Sequence, residues 1–267
     1  MACCKRNEHM KMVLGAGLAS MALGLAALTT ATPAVAADLS YDHKYSLKDT
    51  YVPPIASGYC YFKAGLGYSW SDEPAVSWGL TTFANADLGN AWLGLAGLGC
   101  SQGDRGWRGE LEFAYRGKKQ FDADITSTPV GPPNVGDPAH TSVQSSTLML
   151  NVYYNLGNWH NVVPYIGAGI GLAYNRMSEV YFTNSPFVNQ VIGKDTLTAA
   201  WSVMAGAEVK VSDRWSVDLG YRYIDFGLAE SDHGDTGNNW NPRFRLDDLR
   251  AHEFLIAARY KFCSTCR

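Results

Sequence analysis

Leu249-Arg250-Ala251-His252-Glu253-Phe254-Leu255-Ile256-Ala257-Ala258-Arg259-Tyr260-Lys261-Phe262 is the stretch that decides the fold. In an extended strand, successive side chains point to opposite faces. One face then carries Phe254, Ile256, Ala258, Tyr260 and Phe262, and the other carries Glu253, Leu255, Ala257, Arg259 and Lys261. A strand of a transmembrane barrel has this pattern, because its outer face meets lipid and its inner face meets a polar lumen.

Seven earlier segments show the same alternation. The eight segments are residues 59–70, 91–101, 107–116, 143–156, 163–175, 197–211, 215–224 and 249–262. Short connections at 102–106, 157–161 and 212–214 alternate with long ones at 71–90, 117–142, 176–196 and 225–248. Tight periplasmic turns and long external loops alternate in this way in outer-membrane barrels. The sequence therefore predicts an all-β protein, an eight-stranded antiparallel up-and-down transmembrane β-barrel, with both termini in the periplasm.

The N-terminus predicts export. Lys5, Arg6 and Lys11 precede an apolar run, and small residues follow that end in Ala34-Val35-Ala36-Ala37. This is the layout of a cleaved signal peptide, and the apolar run is short for a helix crossing a ~30 Å hydrocarbon core. We expect a signal peptide at 1–36, an extended periplasmic leader at 37–57, the barrel at 58–262 and a periplasmic extension at 263–267.

Composition excludes several classes of protein. Removal of residues 1–36 leaves 231 residues with a net charge of −5. No run of Lys and Arg offers a phosphate-binding stripe, so nucleic acid is not an expected partner. No later segment approaches eighteen continuous apolar residues, which excludes a helical membrane protein.

Charged residues are predicted on the inner face of the barrel. The inward set is Lys63, Arg108, Arg116, Arg222 and Arg259 with Glu110, Glu112, Glu208, Asp218 and Glu253. Eight strands leave an interior that side chains can fill, so we expect these charges to pair and plug the lumen. The alternative is a selectivity ring in an open pore. Inward glycines at 167, 169 and 171 leave room for a small cavity.

Motifs that suggest catalysis or cofactor binding have simpler interpretations. The glycine-rich runs at 94–99 and 167–171 fall within predicted strands, whereas a phosphate-binding loop opens a helix. The histidines show no metal-ligand spacing. Ser231-Asp232-His233 contains hydrolase residue types, but adjacency in sequence is not triad geometry, and a solvated loop is the expected setting. We expect no enzyme activity, no cofactor and no metal.

Four cysteines remain after the signal peptide: Cys60, Cys100, Cys263 and Cys266. If the first hairpin is centred near Leu80, Cys60 and Cys100 lie opposite each other at the periplasmic rim, where a disulfide is permitted. A one-residue slip in register would separate their faces. Cys263-Ser264-Thr265-Cys266 forms a C-x-x-C, and a bridge from it to the first strand across the barrel closure is equally open.

The segment 58–68, Gly-Tyr-Cys-Tyr-Phe-Lys-Ala-Gly-Leu-Gly-Tyr, follows a proline-containing leader that includes Ser46-Leu47-Lys48-Asp49. Together with the Phe-ended final strand, it resembles the small outer-membrane β-barrel proteins of alphaproteobacteria, including outer-membrane immunogenic proteins and, more distantly, opacity-type adhesins. The resemblance implies an eight-stranded barrel, in some members porin-annotated, with loops that contact host or neighbouring cells. It also implies that the barrel-assembly machinery reads Phe262, with Tyr260 beside it on the same face.

The resulting expectation is an integral outer-membrane barrel with structural and surface-interaction roles through four long external loops. A narrow porin for small solutes is the alternative. The expected partners of the protein are membrane lipid and lipopolysaccharide, the barrel-assembly machinery, and host or neighbouring-cell surface molecules. The chain continues past Phe262 through residues 263–267, which departs from the family pattern and affects how the assembly signal is presented.

Overall fold

The structure is a computed structural model that describes residues 58–127, 138–182, 191–232 and 243–263. Over these ranges the chain forms fourteen strands, and no helix there is long and apolar enough to cross a bilayer. The strands are β1 (Tyr59–Ser71), β2 (Ala75–Ser77), β3 (Thr82–Leu88), β4 (Ala91–Ser101), β5 (Arg105–Arg116), β6 (Lys119–Ser127), β7 (Pro138–Leu156), β8 (Val162–Met177), β9 (Tyr181–Phe182), β10 (Asp195–Lys210), β11 (Trp215–Asp225), β12 (Ala229–Glu230), β13 (Arg245–Asp247) and β14 (Arg250–Cys263).

Eight of these strands close into an antiparallel barrel. The order around the barrel is β1, β4, β5, β7, β8, β10, β11 and β14, and β14 pairs with β1 to complete the ring. The predicted eight-stranded up-and-down barrel is confirmed. β14 ends at Cys263, so the last strand reaches one residue into the predicted C-terminal extension.

The two faces of each barrel strand differ in exposure, as the alternation predicted. In β14, Glu253 is fully buried in the barrel interior, whereas the neighbouring Phe254 is 57 % exposed on the outer wall. Aromatic side chains contact each other near both ends of the outer wall, with ring centroids 4.9 Å apart for Trp215–Tyr260 and 5.1 Å apart for Tyr68–Trp92. Such belts are typical of the two membrane interfaces.

The turns at one end of the barrel are tight. Trp159 and Val162 form the closing bridge of the turn between β7 and β8, and His160 and Asn161 between them both have positive φ. A two-residue hairpin with positive φ at both central positions is a type I′ turn, whose twist matches that of the flanking strands. This end is called the short-turn rim.

The long connections at the other end differ from the expected loops, because they contain strands. β2 and β3 lie in the first, β6 in the second, β9 in the third, and β12 and β13 in the fourth. β3 pairs with β6, which pairs with the first residues of β7, and β13 joins β2 to β12. These six strands and the described residues between them are called the cap.

The cap has its own hydrophobic core, and this core explains why the connections are ordered. Phe121, Phe182, Phe226, Phe244 and Leu246 are buried there against inward side chains of the barrel mouth, which include Met149, Ala173 and Ile224. Burial of a large apolar side chain contributes about 1.5–3 kcal/mol, which offsets the entropy lost when a loop becomes ordered. The cap therefore covers the long-loop mouth of the barrel.

Candidate functional site

The candidate site is the interior of the barrel, where all ten charged residues of the predicted inward set are buried. They come from β1, β5, β10, β11 and β14, because these strands carry charged residues at inward-facing positions. The closed sheet turns those positions toward one another. The contacts form three layers between the long-loop mouth and the short-turn rim.

In the layer nearest the cap, Glu253 accepts hydrogen bonds from two arginines. Nε of Arg116 lies 2.6 Å from Oε1 of Glu253, and Nε of Arg222 lies 2.7 Å from Oε2. Arg222 also contacts Glu112 through Nη1. Each carboxylate oxygen of Glu253 thus accepts a charge-assisted hydrogen bond, the strongest kind available in a dry interior.

In the middle layer, Lys63 lies between two glutamates. Its Nζ is 2.6 Å from Oε2 of Glu112 and also contacts Glu110. The hydroxyl groups of Tyr61 and Tyr153 donate to Glu110, the latter at 3.2 Å. The buried Glu110 carboxylate is therefore satisfied by one ammonium and two phenols.

In the layer nearest the short-turn rim, Glu208 and Asp218 are the acceptors. Nη1 of Arg259 lies 2.8 Å from Oε2 of Glu208, and Arg259 also contacts Asp218. Arg108 is 3.8 Å from Glu208, and its guanidinium lies over the rings of Tyr153 and Tyr165, 4.1 and 4.5 Å from their centroids. Cation–π contact stabilises this guanidinium, whose contact with Glu208 is longer than a hydrogen bond.

Several interior residues were absent from the predicted set. Tyr61, Tyr153 and Tyr165 bind the charged layers through their hydroxyl groups or rings, and Lys261 lies 3.3 Å from Glu208. Tyr61 and Lys261 share the inward parity of Lys63 and Arg259, so the alternation alone identified their positions. The predicted inward set contains only charged residues and omits Lys261, which lies on the charged face of β14.

The space between these side chains is small. A cavity of about 10 Å³ lies among Lys63, Tyr153, Tyr165 and Asp218, which is about the room that one water molecule needs. The expectation that inward glycines leave a cavity is wrong. A side chain at Gly167 would collide with the ring of Tyr153, and one at Gly171 would collide with Met149, so large neighbours fill both positions.

The cap core meets the charged interior at Phe226. The Arg116 guanidinium lies 4.6 Å from the centroid of this ring, and the Lys119 ammonium lies 6.0 Å from it. Lys119, in the cap strand β6, bonds the hydroxyl oxygens of Ser69 at 3.0 Å and Ser71 at 2.7 Å. Burial penalises the charged ammonium and lowers the pKa of Lys119 to about 8. This lysine joins the cap to the end of β1.

The remaining predicted positions have structural settings. A disulfide joins Cys60 of β1 to Cys100 of β4 at the short-turn rim. Tyr260 and Phe262 lie on β14 near the same rim, and Phe262 is exposed on the outer wall. The glycine-rich runs lie inside β4 and β8.

The interpretation of Ser231 as part of a solvated loop is wrong. Ser231 is fully buried in the cap, where its Oγ accepts a hydrogen bond from the backbone N–H of Phe244 at 2.9 Å. Its own N–H donates to the carbonyl of Phe244 at 2.8 Å. The Ser231 hydroxyl group therefore links the segment that follows β12 to the segment that precedes β13. His233 lies outside the described residues.

Comparison with known proteins identifies a family of outer membrane proteins. Residues 16–262 match the model of the outer membrane protein beta-barrel domain. The chain is 28 % identical over 160 residues to the outer membrane protein PagN of Salmonella typhimurium strain LT2, which covers 57 % of this chain and 64 % of PagN. It is 29 % identical over 133 residues to an uncharacterised protein of Brucella abortus strain 2308, with 43 % and 46 % covered. The chain thus spans less than two thirds of the length of these relatives.

Among solved structures, the outer membrane protein OprG from Pseudomonas aeruginosa is similar, with a TM-score of 0.47 and 15 % identity. The match covers 78 % of this chain and 97 % of OprG.

Proposed function

Because this chain belongs to the outer membrane protein beta-barrel domain family, we propose that it is a closed, non-catalytic barrel whose cap contacts host or neighbouring cells. The barrel is integral to the outer membrane. In such barrels the short turns face the periplasm, so the cap lies on the external side. The proposal assigns function to this external surface and a structural role to the lumen.

The observation that carries the proposal is the double closure of the lumen. Three layers of paired charges fill the interior, and the apolar cap core covers the external mouth. Solute passage would require both the rupture of buried ion pairs and the opening of an apolar core. Removing one partner from a buried pair costs about 3–5 kcal/mol, so the layers of ion pairs do not open readily.

Conductance of the refolded mature protein in planar bilayers tests the closed lumen. We expect a silent bilayer while heat-modifiable gel mobility shows that the barrel is folded. Steady, resolvable current steps from folded protein would overturn the proposal in favour of the narrow porin, and the inward charges would then act as a selectivity lining.

The charge of the external connections indicates the kind of partner. Residues 71–90, 117–142, 176–196 and 225–248 hold 14 acidic and 6 basic residues, a net charge of −8. In the described part, the exposed Asp87 and Asp122 lie opposite each other on β3 and β6. A surface of this charge attracts cationic partners and repels polyanions, with an effect that salt weakens.

Adhesion of bacteria that display the protein tests this surface role. We expect stronger attachment to surfaces coated with a cationic polymer than to heparin-coated surfaces, and a decline as salt rises. The variant with Asp87→Asn and Asp122→Asn should attach less, whereas Asp213→Asn at the short-turn rim is the matched control. Attachment that is equal for wild type, variant and cells lacking the protein would overturn the assignment.

We also propose that residues 1–36 are removed on export and that 37–57 form a periplasmic leader. The barrel-assembly machinery would then read Phe262 and Tyr260, and lipopolysaccharide would surround the external belt. The mass of the protein purified from outer membranes tests the cleavage. A mature chain beginning at Ala37 or Asp38 is expected, and a chain that retains Met1 would contradict it.

A further inference from the structure

Three cysteines lie side by side across the seam of the barrel, where β1 and β14 pair. Cys60 of β1 is opposite Cys100 of β4 on one side and opposite Cys263 of β14 on the other. The register between β1 and β14 shifts at Cys60 and Tyr61, and this irregularity brings Cys263 opposite Cys60. The surface-interaction proposal does not involve this site.

Backbone geometry allows Cys60 to bond either neighbour. The Cα atoms of Cys60 and Cys100 are 4.0 Å apart in the observed disulfide. Opposed residues of an antiparallel pair generally have Cα atoms about 4.5–5.5 Å apart, and disulfides span about 4.4–6.8 Å. Cys60 and Cys263 are opposed residues of an antiparallel pair as well.

The two pairings become available at different stages of folding. Cys60 and Cys100 are 40 residues apart and lie on the first two barrel strands, so their bond requires only that these two strands pair. Cys263 lies on the last strand and reaches Cys60 only when the barrel closes. The Cys60–Cys100 disulfide can therefore form early in folding, whereas Cys263 comes opposite Cys60 only when the barrel closes.

We propose that the seam is a disulfide-exchange site. The Cys263 thiolate attacks Sγ of Cys60, the Cys60–Cys100 bond breaks, and Cys100 leaves as a thiolate. One S–S bond forms while another breaks, so the step needs no oxidant. The new Cys60–Cys263 bond joins the first strand covalently to the last.

The position of the cysteines suits this chemistry. Cys100 is exposed, and Cys263 follows Phe262, which lies at the end of the outer wall beside the periplasmic interface. The thiolate is the attacking species, and a cysteine with the ordinary pKa of about 8.5 ionises only where water is present. The periplasm also preserves disulfides, so either bond persists once formed.

Peptide mapping of the folded Cys266→Ser variant tests the proposal. Trypsin releases Cys60 in peptide 49–63, Cys100 in 64–105 and Cys263 in 262–267. The barrel is folded with the Cys60–Cys100 bond, held at pH 8.5 without added thiol, and quenched with acid and N-ethylmaleimide. We expect peptide 49–63 to appear joined to 262–267 within hours, the usual time for disulfide rearrangement.

The pH dependence of the exchange rate tests whether a thiolate is the attacking group. At pH 6.5 the exchange should be about 50-fold slower, because the ionised fraction of a thiol with a pKa near 8.5 falls by that factor. If 49–63 stays joined to 64–105 alone after about a day at pH 8.5, the proposal is wrong.

Two further variants isolate the roles of the cysteines. Cys100→Ser should join 49–63 to 262–267 directly when the closed barrel is oxidised, and two free thiols there would contradict the proposal. Cys263→Ser, with Cys266 intact, should keep only the bond between 49–63 and 64–105. A bond to 262–267 in that variant would assign the attack to Cys266 instead. If the Cys266→Ser variant fails to fold, the wild-type protein is trapped in the same way, and fragmentation of peptide 262–267 between its two cysteines shows which of them is bonded to 49–63.

Discussion

Nε of Arg116 lies 2.6 Å from Oε1 of Glu253, although 137 residues separate the two along the chain. Arg116 ends β5 and Glu253 lies near the start of β14, and β4 and β1 lie between these strands in the sheet. The pair therefore exists only because the sheet curls into a barrel and brings the two inner faces together. Both side chains are fully buried, so the contact between them offsets the cost of removing each charge from water.

The first prediction concerns loss of this charge. Glu253→Gln removes the carboxylate that Arg116 and Arg222 share and leaves two buried guanidinium groups without it. We expect the free energy of unfolding to fall by about 3–5 kcal/mol, the usual cost of breaking a buried pair. Urea titration followed by heat-modifiable gel mobility measures the change.

An exposed ion pair provides the control for this variant. Asp195 contacts Arg176 at 3.2 Å, and both side chains are well exposed. Asp195→Asn should therefore change stability by less than about 1 kcal/mol. If both variants unfold at the wild-type urea concentration, the interior charges do not plug or stabilise the barrel.

The second prediction concerns the cap core. Phe244→Ala removes a fully buried ring that contacts Phe83 and Phe121 edge-on. We expect the cap to lose about 3–5 kcal/mol while the barrel remains folded. Protease digestion of intact cells should then cleave the cap faster, with gel mobility of the barrel preserved. Leu80→Ala, at a position 81 % exposed, is the matched control and should leave the digestion rate unchanged.

The third prediction is a pH dependence of cap stability. Burial lowers the pKa of Lys119 to about 8 in the folded cap, below the ordinary value of 10.5 that applies when the cap is unfolded. Between these values the unfolded state binds more protons, so cap stability should rise as pH increases from about 8 to about 10.5. The gain is at most about 3 kcal/mol, since each pH unit in that window contributes about 1.4 kcal/mol.

Hydrogen exchange of the cap measures this dependence. The charges of Glu253 and Asp72 oppose the shift and that of Arg116 reinforces it, so the variant must leave all three intact. Lys119→Met meets this requirement, and its cap should lack the rise that the wild type shows. Identical pH profiles for the two proteins would contradict the assignment to Lys119.

The fourth prediction concerns assembly. Phe262→Ala removes the last aromatic of β14, and the family resemblance implies that this residue is part of the assembly signal. We expect several-fold less folded barrel in isolated outer membranes, measured by heat-modifiable gel mobility. Phe254→Ala is the control, because Phe254 lies on the same outer face but far from the C-terminal end of β14. Normal levels of the Phe262 variant would place the signal elsewhere.

Period-two alternation by itself determined the barrel strands. In β14 it separated Glu253 from Phe254, and in β5 it assigned Arg108 and Glu110 to the interior. The alternation is visible in sequence because lipid and lumen impose opposite polarity on neighbouring residues. The length of the connections determined the strand order, since each hairpin pairs consecutive strands.

Tertiary structure alone decided which inward residues meet and what the long connections do. The contact of Arg116 with Glu253 depends on barrel closure, and the stacking of Arg108 on Tyr153 and Tyr165 depends on stagger between strands. The cap was not predicted, because its strands pair between connections that are distant along the chain, as β2 does with β13. Alternation reports the solvent on each side of a strand, whereas packing between distant segments depends on shape that no local pattern records.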